Sequence, residues 1–187
     1  AASVPTGAAG VTALNALAGK TAGVVTATIS GTAAELASLT TAATDVLTVT
    51  VSDAHDLAQL KAINNATAGT INLNSYAVGL SGTMADVTAA LAGTLGDTYT
   101  GTAAATDAQS GSAGVTAVNA LAAKTTGNVT ASLSATATEL GSLSTAATDV
   151  ITVAAASVPT GAAGVTALNA LAAKTAGVVT ATISGTA

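Results

Sequence analysis

The sequence predicts an α/β solenoid in which stacked helix–strand coils of about 26 residues form one parallel β-sheet; an all-β parallel β-helix is the alternative. Three observations carry this expectation. The chain repeats itself. Each repeat pairs a short stretch of apolar residues at helical spacing with a stretch that alternates apolar and hydroxyl residues. The side chains are too small for a wide globular core.

Repetition comes first because it constrains everything else. Residues 1–33 recur at 155–187 with one change, Gly19 becoming Ala173. A looser copy of 7–49 lies at 111–153, sharing the frame GVTAxNALAxKTxGxVTA and ending in TAATDV. A finer unit lies beneath. Its first apolar triplet is Val11, Leu14 and Leu17, followed by Gly23 and VVTATIS. Leu36 and Leu39 precede Asp45 and VLTVTV; Leu57, Leu60 and Ile63 precede Gly69 and TINLN. Val87 and Leu91 precede Asp97 and TYTGT; Val115, Val118 and Leu121 precede Gly127 and NVTASLS. Leu140 and Leu143 precede Asp149 and VITV, and Val165, Leu168 and Leu171 restart the first unit. Successive anchors are 25, 21, 30, 28, 25 and 25 residues apart. The expected organisation is one segment over 1–187, a long repeat over 1–154 restarting at 155, and coils at approximately 7–31, 32–53, 54–82, 83–110, 111–135, 136–160 and 161–187.

Each helical piece carries start signals. Thr32 with Glu35 and Thr136 with Glu139 match the capping box, Thr83 with Asp86 nearly does, and Asp56 stands where an N-cap is needed. Gly23, Gly69, Gly127 and Gly177 follow the apolar triplets, where a left-handed residue would end a helix. Each strand-like piece alternates with period two. Leu47, Val49 and Val51 share one face of VLTVTV, and Thr48 and Thr50 share the other. A strand reached through a helical crossover runs parallel to its predecessor.

Composition narrows the function. Half of the 187 residues are hydrophobic, yet there is no Phe, Trp or Cys, and Tyr76 and Tyr99 are the only aromatics. Only 7% are charged and the net charge is −5, against roughly 25% charged residues in an average soluble domain. The basic residues are Lys20, Lys61, Lys124 and Lys174, too few and too scattered for a nucleic-acid footprint or for an anionic membrane surface. No apolar run reaches membrane-span length, so membrane insertion is not expected. No signal peptide is evident, and the missing initiator Met suggests a processed product or a window of a longer chain.

Candidate chemistry is sparse, and no enzyme and no cofactor are expected. His55 is the only histidine, and its position between Asp53 and Asp56 before a helix reads as a solvated loop. Asp45, Asp97 and Asp149 recur just before strands and are candidate calcium ligands, since calcium seeks clustered carboxylates. No EF-hand loop, calcium nonapeptide or P-loop is present. The hydroxyl-rich strand face is the candidate ligand face: Thr26, Thr28, Thr48, Thr50, Asn72, Asn74, Thr98, Thr100, Thr130, Thr180 and Thr182, with Ser132 beside Thr130. Such T-x-T ladders resemble those of ice-binding β-solenoids, though a Thr-rich face also keeps an uncharged sheet soluble.

The phrases TAGTINLNSYAVGLSGTMADVTAALAGT and DLAQLKAINNAT resemble repeats of very large secreted bacterial surface proteins, notably cyanobacterial ones and type I-secreted adhesins. The resemblance implies secretion and a cell-surface or matrix role. The expected function is therefore an extracellular structural segment of a filament, surface layer or adhesin stalk, associating end to end or continuing in a longer chain. A binding module for ice or glycans is the alternative.

Overall fold

The computed structural model describes residues 2–184, with side chains from residue 4 onward. The order of elements is β1 (Ala2–Ser3), α1 (Gly7–Ala18), β2 (Thr26–Gly31), α2 (Ala33–Leu36), β3 (Val46–Val51), α3 (Leu57–Asn65), β4 (Thr70–Asn72), β5 (Leu80–Gly82), α4 (Met84–Ala90), β6 (Thr94–Leu95), β7 (Ala103–Ser110), α5 (Gly111–Ala122), β8 (Val129–Thr136), α6 (Ala137–Leu140), β9 (Val150–Ala156), α7 (Gly161–Ala172) and β10 (Val179–Ala181).

The expected single sheet of stacked coils is not what forms. The strands divide between two separate parallel sheets, ordered β1-β2-β3-β4-β6 and β10-β9-β8-β7-β5. The all-β alternative fails as well, because seven helices alternate with the strands among the described residues. The chain falls into two compact units. One holds the residues up to Leu80 together with Ala85–Thr100, and the other holds Ser81–Met84 and the residues from Gly101 onward.

The physical reason lies where the anchor spacing stretches to 30 and 28 residues. There β4 is only three residues long, residues 73–79 are irregular, and β6 rather than a full strand takes the place beside β4. The predicted strand around Thr98 and Thr100 is irregular chain; the ladder there ends at Leu95. β5, which lies between β4 and β6 in the chain, joins the second sheet.

Within the first unit, the inward residues Ala27, Ile29, Leu47, Val49, Val51 and Ile71 meet Leu14, Leu36, Leu60 and Ile63 from the helices, all nearly inaccessible to solvent. In the second unit Val129, Ala131, Leu133, Ile151 and Val153 meet Val115, Val118, Leu121 and Leu140. These apolar strand faces and helix stripes supply most of the burial energy, at about 25 cal/mol per Å² of apolar surface.

The helix starts follow from local chemistry. Thr32–Glu35 and Thr136–Glu139 form full capping boxes, and Asp56 forms another with Gln59. The helix ends differ from expectation. The residues that close α1, α3, α5 and α7 are right-handed, and the left-handed glycines among the described residues are Gly7, Gly111 and Gly161, at helix starts. Gly69 and Gly177 are required for a different reason. A Cβ there would sit 2.2 Å from the Leu47 carbonyl oxygen and 2.3 Å from that of Ile151.

Candidate functional site

The outward strand face is built as the period-two pattern dictates, but its register breaks the expected hydroxyl ranks. In the first sheet Thr28 pairs with Thr48, and Ser30 with Thr50, which in turn faces Asn72. Thr26 faces Val46 instead, so its hydroxyl has no hydroxyl opposite it on β3. In the second sheet Ser132 faces Thr152, but Thr130 faces Val150 and Thr180 faces Ala154. Val46 and Val150 stand 43% and 40% exposed within these ranks. Asn74, Thr98, Thr100 and Thr182 lie outside any strand. The structure therefore brings together Thr28, Thr48, Thr50 and Asn72, and leaves the other expected face residues in short or interrupted rows.

The recurring aspartates serve the backbone. Asp45 is buried, and its two carboxylate oxygens accept from the backbone N–H of Val25 at 2.7 Å and of Ala42 at 2.8 Å. Asp149 repeats this with Val129 at 2.7 Å and Ala146 at 2.8 Å. Asp97 is exposed and accepts from the Thr98 N–H. Asp45 and Asp97 belong to one unit and Asp149 to the other. Among the described residues no group of three or more His, Cys, Asp or Glu side chains gathers as a metal site.

A set of small polar side chains that the sequence did not single out completes these brackets. The Thr67 hydroxyl accepts from the N–H groups of Leu47 and Gly69, each at 2.8 Å, and its own proton goes to the Asp45 or Leu47 carbonyl. Thr175 does the same with Ile151, Gly177 and Asp149. Asn15 accepts from Thr40 N–H and donates to the Ser38 carbonyl; Asn119 does so with Ser144 and Ser142. Glu35 accepts from Ala8 N–H and Glu139 from Ser112 N–H, each 27 residues away. The Thr32 backbone N–H, then the Thr32 hydroxyl, hold the Glu35 carboxyl below its ordinary pKa, and Thr136 acts likewise on Glu139. The available signal was the recurrence of Asn and Thr at fixed places in the NALAxKT frame.

Beside these brackets run two equivalent grooves, of about 340 Å³ around Asn15, Thr21 and Asp45 and about 270 Å³ around Asn119, Thr125 and Asp149. Several of their polar groups are engaged: besides the Asn and Asp side chains above, Thr21 accepts from Gly23 N–H, and Thr125 donates to the Gly101 carbonyl.

His55 is a correction. It is not solvated but buried, 4% exposed, with Nε2 3.3 Å from the Tyr99 hydroxyl. That hydroxyl donates to the Val78 carbonyl at 2.6 Å, so the imidazole contributes the Nε2 proton and Nδ1 is left as a buried acceptor without a partner. Burial pushes the His55 pKa down, against the opposing pull of Asp56 and Asp53, and burial pushes the Tyr99 hydroxyl up to about 12. An exposed ion pair, Lys61 with Asp86, joins α3 to α4. No described helix is long and apolar enough to cross a membrane.

No family model matches this chain, and neither a curated protein nor a solved structure matches it.

Proposed function

We propose that this chain is a structural repeat segment of an extracellular assembly, a surface layer, filament or adhesin stalk, and that it associates with further copies of its own repeats. One observation carries the reading. The Asp, Asn, Glu and buried Thr side chains that recur from repeat to repeat are committed to the chain's own backbone: Asp45, Asp149, Thr67, Thr175, Asn15, Asn119, Glu35 and Glu139 each bond main-chain groups. Such commitment suits a scaffold, because buried donors left unpaired are costly and every repeat must satisfy its own. The extracellular placement rests on the resemblance to secreted surface repeats and on the absence of Cys in a sparsely charged, Thr-rich chain. The interrupted hydroxyl ranks weigh against an ice- or glycan-binding face.

Two measurements test the reading. Antibodies raised against the chain are expected to label intact source cells without permeabilisation, and the purified chain is expected to resist a broad-specificity protease. Labelling only of permeabilised cells, or rapid digestion throughout, refutes it.

A further inference from the structure

His55 is tied to the two irregular segments of the first unit, residues 73–79 and 96–100. Thr100 joins these segments to each other, its N–H and its hydroxyl donating to the Tyr76 carbonyl at 2.8 and 3.2 Å. The Tyr99 hydroxyl joins them again by donating to the Val78 carbonyl at 2.6 Å. His55 reaches in from the turn before α3 and gives its Nε2 proton to that same hydroxyl. Its Nδ1 is buried and has no hydrogen-bond partner among the described residues. The arrangement suits a neutral imidazole and not a charged one. A second proton, on Nδ1, would be a buried donor without an acceptor, on a ring that had gained a full charge while 4% exposed.

A charged imidazole has a better place close by. Asp53 and Asp56 flank His55 in the chain, are exposed, and both favour the protonated ring. The titratable groups on the surrounding elements are engaged elsewhere. The Tyr99 hydroxyl is turned to Val78, and the Tyr76 hydroxyl accepts from Leu73 N–H. Asp97, on the Tyr99 segment, is exposed and accepts from Thr98 N–H, and Lys61 of α3 is paired with Asp86. We propose that His55 is a pH-operated latch: neutral, it secures segments 73–79 and 96–100 through Tyr99; protonated, it turns out toward Asp53 and Asp56, and the two segments come loose while the rest of the unit stays folded. The rest can stay because β2 and β3 pair over six residues without the imidazole. Irregular chain held by few bonds is the part of a fold that opens first, and histidine is the side chain that changes charge near neutrality. The latch depends on no part of the scaffold reading. With the released ring titrating at about 6.5 and the latched ring staying neutral, the open population rises about 25-fold between pH 7 and pH 5.

Hydrogen exchange of the full chain, read amide by amide by NMR, tests the latch. The Thr100 amide is the reporter, because its bond to the Tyr76 carbonyl breaks when the segments part. After correction for the intrinsic effect of pH on exchange, Thr100 is expected to lose at least about fivefold of its protection between pH 7 and pH 5, toward the ceiling of about 25-fold. At both pH values it is expected to exchange faster than the slowest amides of β3, which marks the opening as local. His55→Phe is expected to hold the Thr100 protection constant over the same range. Should that variant not fold, the measurements on the parent chain decide alone. A loss below about fivefold, Thr100 protection equal to that of the slowest β3 amides, or an undiminished loss in folded His55→Phe each overturns the latch. None of these touches the surface-labelling result, so the scaffold reading and the latch can fail separately.

Discussion

Replacing Thr67 by Val isolates what a single bracket hydroxyl contributes. The two side chains have nearly the same shape, so the substitution removes the hydroxyl and little else. Thr67 is 4% exposed, and its oxygen accepts two main-chain N–H groups, those of Leu47 and Gly69, at 2.8 Å each. Neither donor has an alternative acceptor in Val. A buried donor left unpaired costs about 1–3 kcal/mol, so the pair is expected to cost about 2–4 kcal/mol of the first unit's stability. Thr67→Ser keeps the hydroxyl and loses one methyl, worth about 1 kcal/mol. Urea denaturation followed by far-ultraviolet circular dichroism reads the difference. With a slope of about 2–3 kcal/mol/M, Thr67→Val should lower the midpoint of one transition by about 1 M, and Thr67→Ser by clearly less. Thr175→Val, whose hydroxyl serves Ile151 and Gly177 in the second unit, is an internal replicate and should act on the other unit's transition. Equal stability of Thr67→Val and the parent, or a larger loss for Ser than for Val, refutes the reasoning.

Three further outcomes are expected. Because burial lowers the His55 pKa, the unfolded chain takes up that proton first as pH falls; stability should decline below about pH 6.5, and His55→Phe should flatten the urea midpoint between pH 7 and pH 5. A Tyr76→Phe chain carries Tyr99 alone, and its absorbance titration at 295 nm should place phenol ionisation at about pH 12; ionisation near the ordinary value of about 10 means the ring is solvated. Gly69→Ala, with its new methyl forced onto the Leu47 carbonyl, should cost at least about 2 kcal/mol by thermal or urea unfolding, and Gly177→Ala should match it in the other unit.

How far the candidate site could be read in advance depended on whether the deciding interaction was local. Thr32–Glu35, Thr136–Glu139 and the cap at Asp56 were legible because a capping box closes within four residues. The brackets of Asp45, Thr67 and Asn15 were not, because they join residues 20 to 25 apart whose adjacency exists only once strands pair. His55 looked solvated beside two aspartates, and only the packing of Tyr99, 44 residues away, buries it.

Much of the inward face was legible in the chain alone, since alternation with period two and the helical triplets assign Leu47, Val49 and Leu36 to the core without any neighbour being specified, although Leu17 and Val165 of the same triplets stand exposed. Strand register and the division into two sheets were settled only by packing. Register is a relation between strands: a slip of two residues would preserve the inward face yet change every cross-strand partner, and only pairing sets Thr26 against Val46 and Thr28 against Thr48. The break between sheets arose because the lengthened repeats between Ile71 and Ala103 put irregular chain where a continuing strand was needed, a cost visible only when there is a ladder to interrupt.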